Sequence, residues 1–329
     1  MPGPITYRRF QEEDLPGLLR LWEEESGWGA ISPGQWHKWY VETPHGRCLV
    51  IVAVDEQGEI VGQEVFIPSR VIIGDREIPA LRLSAPVLCK NLRSAVLHGA
   101  DHPAIGLYLT GAKAAVADGY GLIYAMTQHA WLPFFRGGAR LGLPRVVDAE
   151  YACLGLPITS VSSKATEAAG YLTVSPVTNF DARFESLWQS AKDTFPITCG
   201  VVRSPAWVHY KNKGHVTLEA RDSGDNALVG YTAIKKQTGL LVDILARRPD
   251  DLAPVLGATL DWLATEQNDA VKGGIDYLKV MQTPLLRPAL DALGFTPVDY
   301  RFAFVCASLE PGLPLETFSA EHWYVTPGD

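Results

Sequence analysis

Few side chains in this sequence stand where a proton could be taken, given or held, and those few set the question. Glu64 falls in the strand-like run Ile60-Val61-Gly62-Gln63-Glu64-Val65-Phe66. A carboxylate there could act as a general base through water; alternating with Val65, it also reads as a solvated strand residue. His129 follows the apolar run Leu122 to Met126, with Thr127 and Gln128 beside it. A histidine at the carboxyl end of a strand in an α/β domain stands where ligands gather and titrates near neutrality, although a satisfied loop histidine has the same signature. Tyr108 and Tyr124 could each supply a phenolic proton, and their helical or strand spacing equally suits core or rim positions. Asp243 lies inside the apolar run Leu240 to Leu245 and would be costly if buried alone. It is expected to pair with Arg247 or Arg248, or to face a groove. Trp28, Trp36, Trp39 and Trp131 exceed what a core of this size needs. They could line a pocket for an apolar or aromatic ligand, or simply pack.

Composition narrows the classes of function. The 329 residues exceed the size at which a single core keeps growing, so two domains are expected. Apolar residues make up 47% and charged ones 20%, an ordinary globular balance. A net charge of −8 argues against a nucleic-acid binder, because gripping phosphate backbones requires positive charge. No apolar run approaches the ~20 residues that span a bilayer, and the opening Met-Pro-Gly-Pro-Ile-Thr-Tyr-Arg-Arg lacks a signal-peptide plan. A cytoplasmic protein with no membrane partner is expected. The five cysteines, Cys48, Cys89, Cys153, Cys199 and Cys306, show no C-x-x-C pairing, which fits reduced thiols and no metal site.

The elements that would position these residues repeat. Ile5 to Phe10 reads as a strand and Asp14 as a cap for a helix carrying Leu15, Leu18, Leu19 and Trp22 on one face. Cys48 to Val54 and Ile60 to Phe66 form a hairpin around Asp55-Glu56-Gln57-Gly58. Leu81 to Cys89 is a strand, Ile105 to Val116 a helix, and Leu122 to Met126 a strand. A helix begins near Ala130. In the second half Phe184 to Ala191 is a helix, and Val216 to Ala220 and Ala227 to Ile234 a hairpin. Leu240 to Ala246, the helix carrying Leu252 to Leu263, Ile275 to Met281, Pro284 to Leu293 and Phe302 to Ala307 follow. Val61-Gly62 and Val229-Gly230 mark matched places, and a repeat this long means a duplicated domain. The expected division is a first domain over 1–155, a Ser/Thr/Ala-rich join over 156–176 and a second domain over 177–329. The fold class is α/β, with a mixed central sheet flanked by helices in each half.

That order resembles the GNAT (GCN5-related) N-acetyltransferases, and over nearly the whole chain the tandem group among them. The resemblance rests on Tyr7-Arg8-Arg9-Phe10, Glu13-Asp14-Leu15 and Asp55 through Gly62 in the first half. In the second half it rests on Val229-Gly230-Tyr231, Val242 to Leu245 and Leu290-Asp291-Ala292-Leu293-Gly294-Phe295. It implies an acyl-CoA-dependent acyltransferase, with acetyl-CoA as co-substrate and a small-molecule amine as acceptor; a homodimer is left open. It further implies that backbone at Val87, Leu88 and Cys89 meets the pantetheine arm. Arg93, His102, Ala104 and Gly106 would then serve the pyrophosphate, at the place of the family's Gln/Arg-x-x-Gly-x-Gly/Ala loop. Here that loop is Asp101-His102-Pro103-Ala104-Ile105-Gly106, and only Gly106 matches it cleanly. Arg247-Arg248-Pro249-Asp250-Asp251 has no glycine, so the second half is expected to bind no coenzyme A. The family's acid, a tyrosine ahead of a Gly-Phe, is replaced by Phe134-Phe135 and Leu290. The catalytic candidates are therefore Glu64, His129 and Tyr124. The alternative is a scaffold that keeps the fold and binds a ligand or partner without acetyl transfer.

Overall fold

A computed structural model describes residues 3–93, 102–137, 146–158, 170–265, 275–313 and 323–329. The chain divides into two compact units. Unit 1 comprises Met1–Val71, Arg76–Asp148 and Val305–Glu316; unit 2 comprises Ile72–Asp75, Ala149–Phe304 and Thr317–Asp329.

In unit 1, β1 (Thr6–Arg9), β2 (Leu49–Val54), β3 (Ile60–Ile73), β4 (Arg76–Leu88) and β5 (Leu122–Gln128) lie side by side in that order. β1, β2 and β3 pair antiparallel, whereas β4 and β5 pair parallel. Parallel neighbours need a crossover, and α4 (Pro103–Ala117) provides it. Between β1 and β2 come α1 (Leu15–Glu25) and α2 (Pro33–Tyr40). Helix α1 buries Leu18, Leu21 and Trp22. The start of α2 is fixed by a capping box, in which Ser32 accepts from the Gln35 N–H and Gln35 accepts from the Ser32 N–H, with Pro33 in the first turn. A short α3 (Lys90–Arg93) follows β4, and α5 (Leu132–Gly137) follows β5.

Helix α4 rides unusually close to the sheet, and two glycines permit it. A Cβ on Gly106 would stand 2.3 Å from the Tyr7 ring, and one on Gly111 would stand 2.1 Å from the Phe66 ring. The sequence assigned Gly106 to a pyrophosphate loop; in the structure its lack of a side chain makes room for Tyr7.

Unit 2 repeats the plan with β7 (Leu172–Pro176), β9 (Val216–Asp222), β10 (Leu228–Lys235), β11 (Leu240–Ala246) and β12 (Tyr277–Met281). The first four pair antiparallel and β11 runs parallel to β12. Helices α6 (Ala182–Thr194) and α7 (Pro205–Lys211) lie between β7 and β9 in the chain, and α8 (Leu252–Thr265) makes the crossover. The short β8 (Cys199–Val201), α9 (Arg287–Leu293), β6 (Val146–Pro157), β13 (Thr296–Ser308) and β14 (Trp323–Tyr324) complete the set. The start of β6, up to Asp148, and the end of β13, from Val305, count with unit 1, where β13 is the neighbour of β5. The duplication is visible at matched glycines: Gly62 pairs with Ala53 across β2–β3, and Gly230 pairs with Ala220 across β9–β10. Of the stretch 156–176 expected as a join, Leu156 and Pro157 end β6 and Leu172–Pro176 is β7 itself, while 159–169 lie outside the described residues.

Candidate active site

Pairing between β4 and β5 runs through Ala80↔Leu122, Leu81↔Ile123 and Arg82↔Tyr124. Beyond that point both strands continue, β4 to Leu88 and β5 to Gln128. The fork holds a cavity of about 550 Å³ lined by Arg82, Leu83, Ser84, Ala85 and Pro86 from one strand and Ala125, Met126 and Thr127 from the other. Two features of β4 keep the fork open. Pro86 has no N–H to offer a neighbouring strand. Ala85 has φ +53°, a left-handed conformation that costs an L-residue roughly 1–2 kcal/mol. The side-chain alternation breaks there as well. Leu83 lines a small void with Tyr108 of α4, and Leu88, an odd number of positions later, lies against Gly62 near Leu107 of the same helix. That is the signature of a bulge. Buried Gln63 props it, donating from Nε2 to the Ala85 carbonyl at 3.1 Å.

Aromatic side chains close the rest of the cavity. Trp22, Trp39 and Tyr40 come from α1 and α2, and Tyr108 from α4; Trp131, Phe134 and Phe135 come from the segment after β5. Trp28 stands at the margin, 61% exposed, with its ring centroid 5.2 Å from that of Trp22. Of the four tryptophans raised by the sequence, Trp28, Trp39 and Trp131 line the cavity, and Trp36 is fully buried away from it.

Among the described residues of these walls sits one carboxyl group. Glu64 faces the cavity, is 7% exposed and has no hydrogen-bond partner among the described residues. It is not a solvated strand residue. Burial pushes its carboxyl well above the ordinary range, because the ionised form loses its water without gaining a partner. Tyr108 also lines the cavity; its hydroxyl is buried without a partner among the described residues, and burial pushes the phenol up. The Glu64 carboxylate is close enough to contribute to that rise.

The other sequence candidates fall in different places. Tyr124 is fully buried in β5, with Leu83, Cys306 and Ala307 around it, and is absent from the cavity wall, where the phenols are those of Tyr108 and Tyr40. His129 is exposed in the turn after β5 and does not line the cavity, although Thr127 and Trp131 on either side of it do. Val87 and Leu88 are buried at the end of β4, and the Cys89 N–H donates to the Val61 carbonyl. Arg93 donates from Nε to the Leu88 carbonyl at 2.8 Å and pairs with Glu25 at 2.8 Å, so its charge is already matched. His102 caps α4, its Nδ1 accepting from the Ala104 N–H, while the Ile105 N–H donates to the His102 carbonyl. The first turn of α4 is thus satisfied by its own chain, and His102 Nε2, buried and without a partner among the described residues, is the donor left over. Ala104 lines the cavity. Asp101 and Ser94 lie outside the described residues.

The matching fork of unit 2 is filled by its own chain. Val325, Thr326 and Pro327 lie among Leu241, Asp243 and Ile244 of β11 and Val280 and Met281 of β12. The Gly328 N–H donates to the Val242 carbonyl at 2.8 Å, and Asp329 pairs with buried Arg203 and Lys211. Asp243 belongs to this cluster: it pairs with Arg203 and Lys211 and accepts from the Tyr231 hydroxyl at 2.7 Å. Arg247 and Arg248, expected as its partners, bind Asp251 instead.

Solved structures share this architecture over more than nine-tenths of the chain. A GCN5-related N-acetyltransferase from Anabaena variabilis superposes with a TM-score of 0.63 at 13% identity, over 93% of this chain and 73% of its own. A probable N-acyltransferase from Enterococcus faecalis gives 0.59 at 12%, covering 91% and 72%. The Saccharomyces cerevisiae N-myristoyltransferase, solved with bound myristoyl-CoA, gives 0.57 at 11%, covering 93% and 84%. The fold is the tandem GNAT-like fold of these structures. No family model matches the sequence, and no curated protein matches it by sequence. In GNAT-like terms, unit 1 keeps its fork open and unit 2 does not. Among the described residues no group of three or more histidines, cysteines or carboxylates could hold a metal ion, and no helix is long and apolar enough to cross a membrane.

Proposed function

We propose that the chain is an acyl-CoA-dependent acyltransferase that acts in the unit 1 fork on a small-molecule amine. The observation that carries this reading is the buried carboxyl of Glu64 facing an open, aromatic-walled cavity where two parallel strands part. A thioester arm suits the fork, which offers about 550 Å³ between the two strands behind largely apolar walls. Ser84 to Leu88 would flank the arm, and His102 Nε2 would meet its phosphate end. When bound, the thioester supplies the acyl carbon.

The residues of the chain do the rest. Glu64 takes the proton that the amine loses as its nitrogen bonds to the acyl carbon. Its raised affinity for protons makes it a stronger base than a surface carboxylate. Tyr108, held protonated by burial, has the proton that a departing sulfur needs. Aromatic walls exclude water, which would otherwise compete with the amine for the acyl group. Acetyl is the acyl group proposed, the cytoplasm the expected compartment.

The test is calorimetric titration of acetyl-CoA and free coenzyme A, followed by a screen of amines for thiol release. Binding with thiol release that Glu64→Gln abolishes supports the enzyme. A second reading has its own observation: the satisfied first turn of α4 and the matched charge of Arg93 suit a fork that binds a ligand without coenzyme A. Absence of coenzyme A binding at millimolar concentration would favour it.

A further inference from the structure

Among the described residues of the cavity wall Arg82 is the cation, and those residues give it nothing to pair with. It takes part in no hydrogen bond or ion pair there, and its Nε is buried without an acceptor. Surface arginines of unit 1 behave otherwise: Arg8, Arg9, Arg20, Arg70 and Arg76 each have a carboxylate within 3.1 Å. The cavity also contains a carboxyl, yet Glu64 and Arg82 form no ion pair, and burial alone sets the proton affinity of Glu64. Opposite charges in one apolar chamber normally collapse together, since attraction grows as water is excluded. Here they enter the cavity from different strands, Glu64 from β3 and Arg82 from β4.

The strand geometry says where each one works. Arg82 alternates with Leu83, which packs toward α4, so Arg82 projects toward the other face of the sheet. Arg82 shares the cavity wall with Trp39 and Tyr40 of α2. A guanidinium is a planar fork of donors that matches a carboxylate bidentately, and a buried donor without an acceptor is costly until one arrives.

We propose that Arg82 selects an acceptor that carries a carboxylate on an apolar or aromatic body, holding that carboxylate near Tyr40 while the amine lies toward Glu64. This rests on reading the cavity as an acyl-acceptor site. The substrate class is an amino acid or amino-acid-like aromatic acid. The same fork could meet a phosphate of coenzyme A, and the experiment separates the two sources.

Indole-3-acetate, tryptamine and coenzyme A would each be titrated into the wild-type protein, Arg82→Met and Arg82→Lys, with thermal melts to confirm folding. Indole-3-acetate is expected to lose at least tenfold in affinity with Arg82→Met, and less with Arg82→Lys, which keeps the charge but not the fork. Tryptamine and coenzyme A are expected to be unaffected. Equal affinity of indole-3-acetate for wild type and Arg82→Met would overturn the proposal. So would a loss of coenzyme A binding with the acid unchanged, since Arg82 would then be a phosphate contact. If Arg82→Met does not fold, Arg82→Lys decides alone by the same comparison. Arg82-dependent acid binding without acyl transfer would leave this assignment standing and overturn the enzymatic one. Transfer to amines with no preference for acids would do the reverse.

Discussion

Replacing Glu64 by glutamine removes the base with the least disturbance of shape, and the structure fixes what should follow. A positioned general base contributes about 10²–10⁴ in rate, or about 3–5 kcal/mol of barrier. The loss should appear in kcat, with the affinity for coenzyme A unchanged. Wild-type kcat/KM should rise with pH along a limb displaced upward from the ordinary carboxylate range, because Glu64 must lose its proton to act. Stability should move the opposite way. The folded state holds this proton more tightly than the unfolded chain, so stability is greatest below the normal carboxyl pKa and declines as pH climbs above it. Glu64→Gln abolishes that decline, and its melting temperature should exceed wild type by a margin that widens with pH. The assay is a pair of profiles: thiol release at fixed acceptor, and thermal melts, both from pH 5 to 9. A variant that keeps activity within threefold, or a melting difference that does not change with pH, would refute the reasoning about this carboxyl.

Other consequences are as direct. Tyr108→Phe should lower kcat by about 10²-fold if the phenol gives the proton, while leaving stability unchanged or slightly raised, because it removes a buried hydroxyl without a partner; steady-state kinetics and melts check both. Asp329→Ala should destabilise unit 2 by about 3–5 kcal/mol, since it leaves Arg203 and Lys211 buried with one carboxylate between them. The wild-type cluster should weaken in acid: Arg203 and Lys211 hold the Asp329 carboxyl down to about 2, so its contribution is complete above the normal value of 3.8 and fades as pH falls toward 2, as denaturant melts at stepped pH would show. Gly106→Ala should cost about 1–3 kcal/mol through overpacking against Tyr7, and pairing it with Tyr7→Ala should recover part of that loss in a double-mutant cycle.

Much of the architecture could be read from the residues, and the failures have physical causes. The hairpin at Asp55–Gly58 and the repeat at Val61-Gly62 and Val229-Gly230 were legible because turn chemistry and close packing restrict residue type. The length of β3 was not. Past Phe66 it runs through Pro68-Ser69-Arg70, which interrupts the apolar pattern of a strand that nevertheless continues to Ile73. Glu64 was visible as a carboxylate in a strand, but its burial was not, because alternation loses its meaning in a strand covered on both faces. Tyr108 looked like core, and most of α4 is core; a cavity at one end of a helix leaves no mark on its periodicity. Nothing in the one-dimensional pattern distinguishes Arg82 from an arginine on an exposed strand. Tyr124 and His129 were placed correctly on β5 and at its end, yet side-chain direction, which sequence position does not encode, keeps both off the cavity wall.

Ala85 puts two kinds of selection in conflict. Its left-handed backbone makes this alanine a residue that a library screened for heat resistance would exchange for glycine, which adopts that conformation without strain. The exchange would also soften the bend that Gln63 braces and the fork depends on. Improved survival on heating and diminished turnover should therefore travel together at this position, a trade-off expected where a working site stores strain. A designer who wanted a hardier version of the protein would do better to leave Ala85 alone and work on the surface.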